Sequence, residues 1–175
     1  MENVKEISKG FINLGEKVMV SDPCYEMGTW CQDTIDNMLK GIYKCDLEMC
    51  DTVWGHRVSA IQVTHMDYVN KFLDCKCHSG YIGVDSGQAG IFDYEYYEKY
   101  HNGNTDDDWY GTVCDKTISM YNGTEFLDGN TVDGLGFVSS SGYGDGCYDC
   151  WVAERDGKIV AIRVEYITED DEEDM

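Results

Sequence analysis

The amino-acid sequence predicts a β-rich α+β fold, an antiparallel sheet or sandwich with one or two short helices. Short apolar runs recur between turn-forming residues, as strands separated by tight turns require. Glycine occurs 19 times and proline once, and few segments permit a long helix. A hydrophobic fraction of 42% over 175 residues suffices to bury one core.

Residues 15–20 open a strand that ends at Ser21-Asp22-Pro23, where proline removes a ladder donor. Thr29 caps an expected helix, with Cys31, Ile35, Met38 and Leu39 as its apolar stripe and Gly41 as its stop. Residues 41–49 and 57–65 are expected strands, as are 81–84 and 89–92 around the turn Asp85-Ser86-Gly87. Residues 94–100 read as a short helix, and 101–108 as an exposed, mobile polar loop. Residues 136–140 and 148–154 precede Arg155-Asp156-Gly157-Lys158, a hairpin turn, and 159–167 return as a strand with Arg163 and Glu165 on its polar face. A single domain is expected over 1–167, with 168–175 as an acidic, disordered tail.

The chain carries 34 acidic against 13 basic side chains, a net charge of −21. Without the six acids of the tail the body still holds 28 acids, so the acidity belongs to the folded surface as well. Such a balance excludes direct binding to nucleic acid or to an anionic membrane, which needs clustered Lys and Arg. It favours cations, basic proteins or the basic channel of a nucleic-acid enzyme. No apolar run approaches the roughly 20 residues of a membrane span, and charges throughout the first twenty residues leave no signal-peptide core. The expected location is the cytosol. There the nine cysteines should stay reduced.

Three stretches carry a resemblance: 14–25 (LGEKVMVSDPCY), 83–93 (GVDSGQAGIFD) and 141–167 (SGYGDGCYDCWVAERDGKIVAIRVEYI), with 56–63 (HRVSAIQV) between them. Together they resemble the bacterial and phage family known as domain of unknown function 4241. The chain departs from that pattern after Gly-Asp-Gly, where Cys147-Tyr148-Asp149-Cys150 replaces the usual Tyr-Pro-x-Tyr. The resemblance implies a β-rich fold and a bacterial or phage origin, with no settled activity.

Three constellations are candidates for chemistry. Cys75, Cys77 and His78 with Cys147 and Cys150 are soft ligands suited to a structural zinc; Cys24 and Cys31 lie in a further loop able to lend a ligand. The plainer alternative is reduced, inert packing thiols; a redox pair at Cys147 and Cys150 lacks the following helix. Asp22, Asp85, Asp93 and Asp145 fall in turns that, if they converge, suit Mg²⁺ or Mn²⁺ and a hydrolase or nuclease. Against this, aspartate in a tight turn commonly caps local backbone N–H groups. Finally, Tyr94, Glu95, Tyr97 and Glu98, joined by Asp106, Asp107, Asp108 and Trp109, form an acidic, aromatic patch able to imitate a phosphate backbone toward a Lys/Arg-lined groove. Its alternative is a solvated helix with half-buried tyrosines.

No P-loop, His-Glu-x-x-His or Gly-x-Ser-x-Gly pattern occurs. The preferred expectation is therefore a non-enzymatic, phage-type inhibitor that binds a basic nucleic-acid-handling host protein, in its sharpest form an anti-CRISPR-like protein acting on a Cas effector. The alternatives are the metal-dependent hydrolase and an immunity protein that neutralises a basic toxin.

Overall fold

A computed structural model describes residues 2–103 and 105–173. The strands are β1 Glu2–Leu14, β2 Val18–Ser21, β3 Asp33–Ile35, β4 Gly41–Thr52, β5 Gly55–His65, β6 Cys77–Val84 and β7 Gln88–Asp93. After helices α1 Tyr94–Tyr100 and α2 Asp107–Asp115 come β8 Ile118–Tyr121, β9 Thr124–Leu127, β10 Gly129–Val132, β11 Gly136–Ser140, β12 Gly146–Arg155 and β13 Lys158–Glu165, with α3 Glu169–Glu173 last. The β-rich α+β expectation holds: all strand pairs in the sheets are antiparallel. Among the described residues no helix is long and apolar enough to cross a membrane.

Two sheets form a sandwich. One has six strands in the order β1-β4-β5-β13-β12-β6, the other five in the order β10-β11-β7-β2-β3. Period-2 alternation aims Cys45, Leu47, Ile61, Val63, Ile162 and Val164 from the first sheet into a core shared with Val18, Val20, Ile91 and Phe137 of the second. The opposite face of the five-stranded sheet is covered by α1 and α2. There Met19, Phe92 and Val138 pack under Tyr96, Tyr97, Trp109 and Val113. On the outer face of the six-stranded sheet, Arg163 reaches Glu48 at 2.9 Å and Glu165 at 3.3 Å, so the polar face expected there is polar and internally paired.

Four local expectations are corrected. The strand expected over 15–20 starts late: residues 15–17 link β1 to β2, which begins at Val18 and runs to Ser21. The helix expected from Thr29 is absent. Its segment runs extended, and β3 completes the edge of the sheet beside β2. Cys31, Ile35 and Met38 are buried as the stripe required, but Asp33, Thr34, Asp36 and Asn37 are poor helix formers, and an unpaired strand edge offers that backbone better hydrogen bonds. The loop 101–108 is exposed at 102–103 and 106–108 as expected, with residue 104 outside the described residues, but it is pinned. His101 is wholly buried, Thr105 donates to the Cys24 carbonyl at 3.0 Å, and Asp106 caps α2. In the acidic tail, α3 forms one turn because Thr168 and Asp171 cap it, the Thr168 N–H donating to the Asp171 carboxylate at 2.7 Å. Residues 174–175 of the expected tail lie outside the described residues.

Candidate functional site

The stretches singled out in the sequence meet at one end of the sandwich. Antiparallel pairing of β2 with β7 places the turn after Ser21 beside the turn before Gln88. Asp22, wholly buried, joins them. Its Oδ1 accepts from the Cys24 N–H (2.8 Å) and the Ser86 hydroxyl (2.6 Å); its Oδ2 accepts from the N–H groups of Asp85 (2.8 Å) and Ser86 (2.7 Å). The glycine-rich loop 141–146 lies alongside, the Ser141 N–H donating to the Gly87 carbonyl at 3.1 Å. Tyr148 clamps that loop by donating to the carbonyls of Ser141 and Gly144. Gly142 sits at φ +58°, where an added Cβ would lie 2.9 Å from Tyr166 Cβ.

Of the four turn aspartates, Asp22 and Asp85 come together and Asp145 lies exposed in the adjoining loop. Asp93 does not join them. It ends β7, a six-residue strand away, where it accepts from the Gly15 N–H at 2.9 Å and caps α1. The Asp22 oxygens are committed to four protein donors, so the geometry favours turn chemistry at Asp22 over cation ligation. The neighbouring thiol and phenol groups are held neutral. Burial, then the charges of Asp22 and Asp85, push the Cys24 thiol up to about 12, which makes it a poor nucleophile. Burial and a hydrogen bond with Asp85 raise Tyr25, and burial raises Tyr110. This end of the molecule is a rigid, cross-braced set of turns.

The expected zinc ligands are not brought to one point. On the β6–β12 pair Cys77 stands opposite Val152 and Cys147 opposite Gly83, at opposite ends of the ladder and about 15–20 Å apart. Cys147 and Cys150 are three positions apart in β12, so they point to opposite faces: Cys147 is exposed and Cys150 wholly buried in the core. A Cys-x-x-Cys pair grips one ion from a turn, and an extended strand separates it. Cys75 packs beside Ala153, Val160 and Ala161 on the outer face, where burial pushes its thiol up to about 11. His78 pairs with Asp149 (Nε2 to Oδ1, 2.8 Å) and rests against Tyr81 and Trp151. Among the described residues no group of three or more His, Cys, Asp or Glu side chains is placed to hold a metal ion. All nine cysteines are free thiols.

The acidic, aromatic patch divides into two layers. Tyr97 and Trp109 are core residues, 0% and 5% exposed, and are removed from any contact surface. The reason is the amphipathic pattern of α1 and α2, whose apolar faces must cover the five-stranded sheet. Tyr97 donates to the carbonyls of Asp22 and Tyr25, tying the helices to the braced turns. Trp109 donates through Nε1 to Tyr96 Oη at 2.7 Å, and Tyr96 donates in turn to Asp133 at 2.7 Å. Tyr100 stacks on Trp109 with centroids 5.2 Å apart. Tyr94 stays half-buried under Lys17. Glu95, Glu98, Asp106, Asp107 and Asp108 face solvent, as does Asp115 at the far end of α2. Residues 93–115 hold seven carboxylates against one lysine.

Two features escaped the sequence reading. His101 is buried between Tyr97 (centroids 4.0 Å, stacked) and Trp109 (4.9 Å, edge-on), with neither ring nitrogen hydrogen-bonded to a described protein group. No sequence signal distinguishes it from an exposed loop histidine. The hairpin β8–β9 was signalled by Asn122-Gly123, a strong turn pair flanked by apolar residues. No family model, curated protein or solved structure matches this chain, and the resemblance to domain of unknown function 4241 gains no support from those comparisons.

Proposed function

We propose that this protein is a non-enzymatic inhibitor of phage type that occupies a basic surface of a nucleic-acid-handling protein in the cytosol, a Cas effector being the sharpest candidate. The observation that carries the reading is the two-layered α1–α2 cover. Its rings are locked inward against the sheet, and Glu95, Glu98, Asp106, Asp107 and Asp108 are thereby held outward on a rigid base. Carboxylates fixed in this way need little ordering on binding, so more of their attraction to Lys and Arg is retained. The braced, fully hydrogen-bonded turns around Asp22 fit a scaffold better than a reaction centre. A basic toxin as partner would use the same surface.

The test is binding to a panel of purified Cas effectors across a salt series. Wild type should bind at low salt and weaken steeply by 0.5 M, as screening demands. The triple variant Asp106→Asn, Asp107→Asn, Asp108→Asn should lose about tenfold or more at low salt, in the range of charged contacts at protein interfaces. Affinity indifferent to both salt and the triple substitution would overturn the reading.

A further inference from the structure

The ribbon β8–β9 is hydrogen-bonded to neither of the two larger sheets. Its two strands hydrogen-bond as a separate two-stranded sheet, turning at Asn122 and Gly123 with φ of +50° and +77°. Its base is firmly held. The Asp128 N–H donates to the Thr117 carbonyl at 2.9 Å, the Asn130 side chain to the Lys116 carbonyl at 2.7 Å, and Ser119 to the Asp128 carboxylate, which also receives Lys9 at 2.8 Å. Beyond that base the ribbon projects, and its composition is wrong for a projection into water. Met120 is 61% exposed, Tyr121 70%, Phe126 44% and Ile118 43%.

Register decides how these residues are shown. Ser119 pairs with Phe126 and Tyr121 with Thr124, so Tyr121 and Phe126 share one face. Ile118 pairs with Leu127 and Met120 with Glu125, so Ile118 and Met120 share the other. Apolar groups thus remain exposed on both faces of a ribbon whose strands hydrogen-bond only to each other, although β9 approaches β5 and β8 approaches α2. An isolated two-stranded ribbon is marginal in water, and exposed apolar clusters of this kind commonly mark contact surfaces. The aromatic and thioether side chains present are of the types enriched at such contacts.

The occupant follows from charge. Asp115 ends α2 three residues before Ile118, with Lys116 next to it, and Glu125 lies on the ribbon. Asp107 and Asp108 stand at the opposite end of α2, about 12 Å along its axis, on a chain that carries 34 acids against 13 bases. We propose that β8–β9 is the apolar anchor of the docking surface, inserting Met120, Tyr121 and Phe126 into an apolar recess whose rim carries lysines and arginines on the partner protein. This inference rests on the reading of the protein as a binder of a basic partner and locates where apolar affinity, as opposed to electrostatic attraction, arises.

The experiment uses the same panel of purified Cas effectors and a Met120→Ser/Tyr121→Ser variant of the full chain, with folding checked by near-ultraviolet circular dichroism. Both residues lie at the exposed end of the ribbon, so the body should fold unchanged. Should it not, Tyr121→Ser alone serves. The variant should bind at least about tenfold more weakly at low salt and at 0.5 M salt alike, because loss of an apolar anchor is not screened. Equal affinity of variant and wild type overturns the ribbon inference and leaves the carboxylate reading standing. Failure of wild type to bind any effector overturns both. Sedimentation velocity gives the last arm: a wild-type dimer that the variant converts to monomer would assign the ribbon to a second copy of this chain and overturn the inference.

Discussion

Replacing His101 with phenylalanine should stabilise the protein in acid far more than at neutral pH. His101 is wholly buried in an aromatic layer, and burial pushes its pKa down from the usual 6.5 to about 4, against a smaller upward pull from Asp106. Between those values the unfolded chain binds a proton that the folded chain refuses, so stability falls as pH drops from 6.5 toward 4. The full gap corresponds to about 3 kcal/mol, and about 2 kcal/mol of it develops between pH 7 and pH 4.5. Phenylalanine keeps the stack on Tyr97 and removes two ring nitrogens that find no described protein partner. At pH 7 the gain from that removal, about 1–2 kcal/mol, is partly offset by the larger ring. Urea denaturation of both proteins at pH 7 and 4.5, followed by tryptophan fluorescence, measures the difference directly. Protonation of the many carboxylates is common to both proteins and cancels. A stability difference that stays constant with pH would refute the reasoning.

Asp22→Asn should lower unfolding stability by roughly 2–4 kcal/mol in chemical denaturation, because an amide nitrogen would face N–H donors in a buried clamp that now accepts four hydrogen bonds. Cys147→Ser should change stability by less than about 0.5 kcal/mol. Cys150→Ser places a hydroxyl in the core and should cost about 1–3 kcal/mol; equal effects would contradict their placement on opposite faces of β12. Gly142→Ala should cost about 1–3 kcal/mol in thermal or denaturant unfolding, since it combines a left-handed φ with a close approach to Tyr166.

How far the sequence could be read varied with the range of the forces involved. The strands β4, β5, β7 and β11 and the hairpin joining β12 to β13 follow from alternation and turn residues, which act over a few positions. The segment 29–40 misled because its apolar spacing suits a helix, and an extended strand edge buries the same residues equally well. Tyr97 and Trp109 were legible as aromatics in an acidic run, but which side of a helix faces the sheet depends on the sheet. The cysteine clusters looked like ligand sets because proximity in sequence resembles proximity in space only within turns.

The charge balance, the dominance of β-structure, and the position of the tight turns were determined by the residues alone, since each reflects local backbone preference or simple summation. Tertiary structure decided that Asp22 is a clamp, that Cys147 and Cys150 face apart, that His101 is buried and that β8–β9 pairs with neither larger sheet. Those outcomes depend on pairings between strands far apart in the chain, where register sets both the neighbour and the face of every side chain.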